Sequence, residues 1–182
     1  SYECVGIIKP EIAKRYGMKS TVKIMAGAGD NAAAAVGVGA VGGGCNVSVG
    51  TSGTVFASTS QYFPAKNNAV HVFCHADGGW HQMGCMLSAT LCCDWWTKDI
   101  LGSDISQGQP GAHTALGRNE LFFLAYLMGE RSPHNDTAAR GAFIGLHPSV
   151  TRPKMTAAVM EGVAFGLKDS MDTIKGNGLD IS

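Results

Sequence analysis

The sequence holds no surplus of either charge: 14 acidic side chains balance 14 basic ones. Without a basic excess it lacks the electrostatic footprint of a nucleic-acid or anionic-membrane binder, so an anionic ligand must be held by local geometry. No apolar run approaches the roughly twenty residues that cross a bilayer, and no charged-then-apolar leader opens the chain. The six cysteines (Cys4, Cys45, Cys74, Cys85, Cys92 and Cys93) include no C-x-x-C pair and no framework spacing. They read as reduced, buried small hydrophobes of a cytosolic protein. Neither an internal repeat nor a low-complexity tract interrupts the chain. What remains is length enough for one sizeable domain, or for one domain plus part of another. The first residues, Ser1-Tyr2-Glu3-Cys4, carry no methionine, and the last, Leu179-Asp180-Ile181-Ser182, read as the opening of another strand, so both ends are expected to be cuts.

Glycine is abundant instead. The 25 glycines are roughly twice the usual share of about 7%, and many lie between Gly27 and Gly53. Residues 5–8 and a short helix opened by Lys9-Pro10 and stopped by Gly17 lead into a first buried strand over 21–25. Gly27 and Gly29 make a turn, and the small apolar run from Asn31 predicts a helix packed closely on all sides. Gly42-Gly43-Gly44 is the flexible point and the expected domain boundary. Beyond it, residues 46–49 and 54–58 predict a hairpin through Gly50-Thr51-Ser52-Gly53, and residues 70–75 and 80–86 a second through Asp77-Gly78-Gly79. A helix capped by Ser88 and ended by Gly102 follows, then a polar loop or frayed helix over 103–117. A buried run over 121–126, a mixed loop over 129–136 and the segment 141–146 come next. The last element is a helix over 154–175 whose Met155, Val159, Val163 and Leu167 form one core-facing stripe. The order of elements is that of an α/β layer on a sheet with antiparallel edges.

Two turns carry the chemistry. Asp30, preceded by Gly-x-Gly and followed by Asn31, can sit at a helix N-terminus where negative charge is favoured; a plain capping role is the simpler alternative. The same stretch, Gly27-x-Gly29-x-x-Ala32, also matches a dinucleotide fingerprint, and so a dehydrogenase. Against that, Asp30 puts charge where a pyrophosphate would lie, and residues 46–49 end without an acid for the ribose. Gly50-Thr51-Ser52-Gly53 offers successive N–H groups and two hydroxyls, the equipment of a phosphate nest, or of an ordinary hairpin turn. It is neither a Walker loop nor a nucleophile elbow. These two turns are expected to meet across a cleft. His71, Cys74, His75 and His81 lie close in sequence but match no ligand spacing, so no metal site is assigned. Trp80, Trp95 and Trp96 read as core or cleft wall, and Glu130, Arg131, Asp136 and Arg140 as a local salt-bridge set that fixes a loop.

Taken together, AGAGDNAAAAVGVGAV, SVGTSGTVFAS, VHVFCHADGGWHQMGCMLSATLCCDWW, FLAYLMGERSPHNDTAARGAFIGL and AAVMEGVAFGLKD resemble the FGGY carbohydrate kinases, most closely the branch that phosphorylates D-xylulose. The segment 141–161 is similar to that family's C-terminal signature, with Lys154 where an acid, amide or histidine is usual. The resemblance implies an α/β, actin-like ATPase (ribonuclease H-like) fold. Residues 1–44 would be the C-terminal end of the sugar-binding domain. Residues 45–182 would be most of the nucleotide-binding domain, truncated before the adenosine-binding glycine loop. It also implies Asp30 as general base and sugar contact, Asn31 as a sugar contact, and Gly50, Thr51, Ser52 and Gly53 as the ATP-phosphate loop. ATP and Mg2+ are the implied cofactors and a sugar the partner, in the cytoplasm, with a homodimer left open. The family's N-terminal Asp-x-Gly-Thr loop is not in this sequence, so the 182 residues alone are expected to be inactive. A kinase for another polyol or sugar acid, an NAD-dependent oxidoreductase, and a non-catalytic sugar sensor remain as alternatives.

Overall fold

A computed structural model describes residues 2–66, 68–103 and 111–181. Strand β1 (Cys4–Ile7) pairs antiparallel with β2 (Lys23–Met25), and helix α1 (Pro10–Arg15) connects them. Pro10 suits the first turn of α1, where its missing N–H costs nothing, and Gly17 ends the segment at φ +63°. The expectation of a buried first strand fails: every residue of β1 and β2 is exposed, because no layer of the described chain packs on this two-stranded ribbon. Helix α2 (Asp30–Gly37) is likewise buried on one side only, through Ala32 and Ala35, while Val36 stays exposed.

The centre is an antiparallel sheet of β3 (Cys45–Val49), β4 (Gly53–Thr59), β5 (His71–Cys74) and β6 (Trp80–Met86), in spatial order β3-β4-β6-β5. Both expected hairpins form, and Val49 pairs with Gly53 across the first turn. Side chains alternate between the two faces. Phe56 and its cross-strand partner Met83 pack against Ala35 and Ala40 of the α2 region. Val55 and Ala57 point the other way, into a core with Ile174 of α5 (Arg152–Gly176). The long helix forms as expected, with Val159 and Val163 buried and Met155 and Leu167 at the edge of the core.

Helix α5 lies unusually close to its neighbours, and glycine is what permits it. A Cβ on Gly84 would sit 2.7 Å from the Ser170 Cβ, one on Gly166 2.9 Å from the Met86 Cε, and one on Gly162 2.2 Å from the Phe123 carbonyl oxygen. Phe123 belongs to β7 (Phe122–Leu124), which pairs with β8 (Ala142–Ile144). At its far end α5 is fastened by Asn177, whose Nδ2 donates to the fully buried Gln82 Oε1 at 2.8 Å, while Gln82 Nε2 donates to the Phe63 carbonyl at 2.9 Å.

Several sequence expectations need correction. The helix after β6 is α3 (Thr90–Asp94), continued as a π-helical segment (Trp95–Ile100). Ser88 does not cap it; Ala89 holds that position, and the buried Ser88 Oγ accepts a hydrogen bond from Met128 N at 3.2 Å. The loop or frayed helix expected over 103–117 falls partly outside the described residues, and its described part holds the short helix α4 (Ala112–Ala115), in keeping with the second alternative. Of the cysteines only Cys92 is buried; Cys4 and Cys74 are exposed, and all six are free thiols. The triple glycine is held rather than loose: Gly43 N donates to Ser58 Oγ at 3.1 Å, and Ser58 Oγ donates to Gly44 O at 3.0 Å. No described helix is long and apolar enough to cross a membrane.

Candidate active site

Asp30 is the first helical residue of α2, after a Gly29 cap in extended backbone. It is therefore not the capping aspartate of the simpler reading. Its Oδ1 accepts hydrogen bonds from Asn31 N at 2.8 Å and from Asn31 Nδ2 at 3.2 Å. The predicted pair is thus one unit: Asn31 orients the carboxylate and leaves Oδ2 open to what lies in front of it. Gly27, at φ +75°, supplies the left-handed turn that brings the chain to this point.

In front of Asp30 and Asn31 lies a cavity of about 480 Å³, whose opposite wall is Phe73, Cys74, His81 and Met83. Sequence reading passed over these four as cavity residues. The signal was the period of two: register places Phe73 beside His81, and Met83 two residues along β6, on the sheet face that α2 covers. His81 is buried against Phe56, their rings stacked at 4.3 Å. Burial, and then the nearby His75, push its pKa down to about 4, so it is a neutral imidazole at ordinary pH. His81 Nδ1 has no hydrogen-bond partner among the described residues.

The Gly50-Thr51-Ser52-Gly53 turn is not on the wall of that cavity. It closes the end of β3 and β4, with Thr54 and Cys85 as one further row of the same sheet face between it and Met83. Rows on one face are about 6.7 Å apart. Thr51 and Ser52 are exposed. The carbonyls of Gly50 and Thr51 are taken by N–H groups at the start of α3: Thr90 N to Gly50 O at 2.9 Å, Ala89 N to Thr51 O at 2.9 Å, and Leu91 N to Thr51 O at 3.3 Å. Gly53 is buried, and its missing side chain makes room for Leu167 Cδ2, which an added Cβ would meet at 2.9 Å. Packing against α5 therefore accounts for that glycine.

The expected salt-bridge set over 130–140 does not form among the described residues. Arg131 Nη1 lies 3.2 Å from His71 Nε2, and Arg140 Nη1 donates to the carbonyls of Thr137 and Ala139 at 3.0 and 2.7 Å. Glu130 is buried, with Oε1 accepting from Arg131 N at 2.7 Å and Leu87 N at 3.1 Å. Main-chain hydrogen bonds hold this loop, because a buried carboxylate is better served by fixed amides than by a mobile surface cation. Trp96 is core, its Nε1 donating to Thr156 Oγ1 at 2.9 Å; Trp95 packs on Phe123, and Trp80 meets the Tyr62 ring edge-on.

An antiparallel sheet between two helices, with a helix-start aspartate over one face and a hydroxyl-bearing turn at its end, matches known proteins closely. Residues 45–182 match the FGGY family of carbohydrate kinases, C-terminal domain. The chain belongs to the FGGY family of carbohydrate kinases, and its fold is the α/β actin-like ATPase fold. Within that family it is similar to the xylulose kinase of Escherichia coli, with 43% identity over 97% of this chain and 37% of that protein. Among solved structures it is similar to one described as a xyloylose kinase from Brucella ovis, with 39% identity and a TM-score of 0.86 over 99% of this chain and 38% of that one. A ligand-bound xylulose kinase from Lactobacillus acidophilus matches with 30% identity and a TM-score of 0.86, over 94% of this chain and 36% of its own. The chain thus spans little more than a third of the length of these relatives. Nothing in these relationships supports the nicotinamide-dependent alternative.

Proposed function

We propose that this chain is part of an ATP-dependent kinase that phosphorylates a sugar hydroxyl, with D-xylulose as the substrate, as the names of its relatives suggest. The observation that carries the reading is the placement of Asp30, exposed at the start of α2 and opening with Asn31 on a cavity of about 480 Å³. In this reading Asn31 holds one carboxylate oxygen of Asp30, and the other accepts a hydrogen bond from the reacting hydroxyl. Phosphoryl transfer passes through a loose transition state, so the protein's part is mainly to position groups and stabilise charge. Asp30 orients the hydroxyl and takes its proton late. The N–H groups and hydroxyls of Thr51 and Ser52 hold phosphate oxygens. Mg2+ would supply neutralisation of the phosphate charge. Among the described residues no group of three or more His, Cys, Asp or Glu side chains could hold a metal ion.

Residues 1–44 then close the sugar-binding domain, and 45–182 form most of the nucleotide-binding one. The exposed apolar side chains of β1 and β2, among them Val5, Ile7, Ile24 and Met25, support this division. The 182 residues alone are not expected to turn over sugar. The test is Asp30→Asn in a full-length kinase that carries this segment. Turnover should fall by about 100-fold or more while sugar affinity stays within about threefold. Unchanged turnover would remove Asp30 from the base role, and a sugar panel led by another polyol would replace D-xylulose.

A further inference from the structure

A buried carboxylate with no countercharge is costly, and it persists only where fixed donors repay the desolvation. Glu130 is close to such a group: it is 1% exposed, burial raises its pKa, and no described cation lies within ion-pair distance, His134 acting on its charge only from farther away. Its Oε1 receives two main-chain N–H groups, from Arg131 at 2.7 Å and from Leu87 at 3.1 Å, and its Oε2 is buried without a partner. The loop around it grips the end of β6 at further points. Ser132 N donates to Cys85 O at 3.1 Å, Cys85 N to Ser132 Oγ at 2.9 Å, and Met128 N to Ser88 Oγ at 3.2 Å.

What that grip holds in place is the chain that leads to the turn. One residue past Ser88, the N–H groups of Ala89, Thr90 and Leu91 take the carbonyls of Gly50 and Thr51. In a trans peptide the C=O and the following N–H point in opposite directions. Holding Gly50 O inward therefore directs Thr51 N–H outward, and holding Thr51 O inward directs Ser52 N–H outward. The orientation of two donors at the exposed turn is thus set from behind, through residues 87–91, by the loop that Glu130 anchors.

We propose that Glu130 is a positioning residue for the Gly50–Ser52 turn: by fixing the Leu87 amide it aims the Thr51 and Ser52 N–H groups at nucleotide phosphates. The proposal rests on the reading of that turn as the phosphate holder. Glu130 touches no substrate. It acts through the main chain.

The experiment compares three variants in a full-length kinase carrying this segment, with KM for ATP and KM for sugar measured separately. Glu130→Leu fills the same space without an acceptor and should raise KM for ATP about tenfold or more, with KM for sugar within about twofold. Glu130→Gln keeps the Oε1 acceptor and should restore KM for ATP to within about threefold of the parent. Ser52→Asp places negative charge at the turn and should raise KM for ATP whatever Glu130 does. If Ser52→Asp leaves KM for ATP unchanged, the phosphate reading of the turn falls. If Ser52→Asp raises it but Glu130→Leu does not, or if Glu130→Leu raises both KM values alike, the positioning role is overturned and the reading of the turn stands. Should Glu130→Leu fail to fold, Ser88→Ala releases the neighbouring grip and should raise KM for ATP severalfold; no change there overturns the proposal.

Discussion

Replacing Gly162 by alanine sets two effects of opposite sign against each other. In an ordinary helix interior, alanine is worth about 1 kcal/mol over glycine. Here the new Cβ would lie 2.2 Å from the Phe123 carbonyl oxygen, 3.1 Å from its carbonyl carbon and 3.3 Å from its Cδ1. A carbon and a carbonyl oxygen come no nearer than about 3.3 Å, so α5 and β7 must part by roughly 1 Å. Neither is free to do so. Phe123 is paired with Phe143 across β7 and β8, and its ring lies 4.8 Å from Phe143 and 6.1 Å from Trp95. Overpacking of this kind costs about 1–3 kcal/mol, and a main-chain obstacle puts it at the upper end. The net expectation for Gly162→Ala is a loss of about 1–2 kcal/mol. Gly176→Ala is the control: it closes the same helix with nothing within 4 Å of its added Cβ, and should leave stability unchanged or raise it by up to about 1 kcal/mol. Urea unfolding of both variants in a full-length kinase reads the difference as a shift in midpoint at constant slope. A Gly162→Ala protein as stable as its parent would refute the close approach of α5 to β7.

Two further outcomes follow from the titratable groups. His81 has its folded pKa lowered to about 4 from 6.5, so between these values the unfolded chain binds more protons. Its contribution is fully present above pH 6.5 and is lost as pH falls toward about 4. The urea midpoint should therefore drop across that window, and the drop should shrink in His81→Phe; an unchanged slope would show that His81 is not held neutral. A thiol reagent should modify the exposed Cys4 and Cys74 first and Cys92 last, because burial pushes the Cys92 thiol up to about 12. Early loss of Cys92, followed by peptide mapping, would contradict the packing beneath α3.

The elements that announced themselves in sequence were those whose signals are local. The first hairpin carried β-branched runs around a glycine turn, the second was marked by its Asp77-Gly78-Gly79 turn, and the stripe of Val159 and Val163 marked the core side of α5. Asp30 and Asn31 were likewise legible as neighbouring polar groups among glycine and alanine, while the capping role that sequence alone left open falls to Gly29. What sequence could not supply were properties decided by distant partners. Ser88 has the chemistry of a cap, but Met128 claims its hydroxyl. Glu130 beside Arg131 looks like half an ion pair, yet two amides hold it instead. Helix propensity alone gives no reason for Gly162 and Gly166 in α5, whereas each marks a neighbour pressed against the helix. The cavity wall of Phe73, His81 and Met83 required the register of β5 on β6, which no single strand reveals.

The packing of α2 on the sheet has a mechanical consequence. Ala35 and Ala40, upstream of the triple glycine, share a core with Phe56 and Met83 downstream of it, so Asp30 rides on a lever clamped to β4 and β6. The spacing between its carboxylate and the Met83 wall is then preserved in any motion that leaves this clamp intact. Nothing hinged at Gly42–Gly44 can open the cavity unless it first unseats two alanines from beneath Phe56.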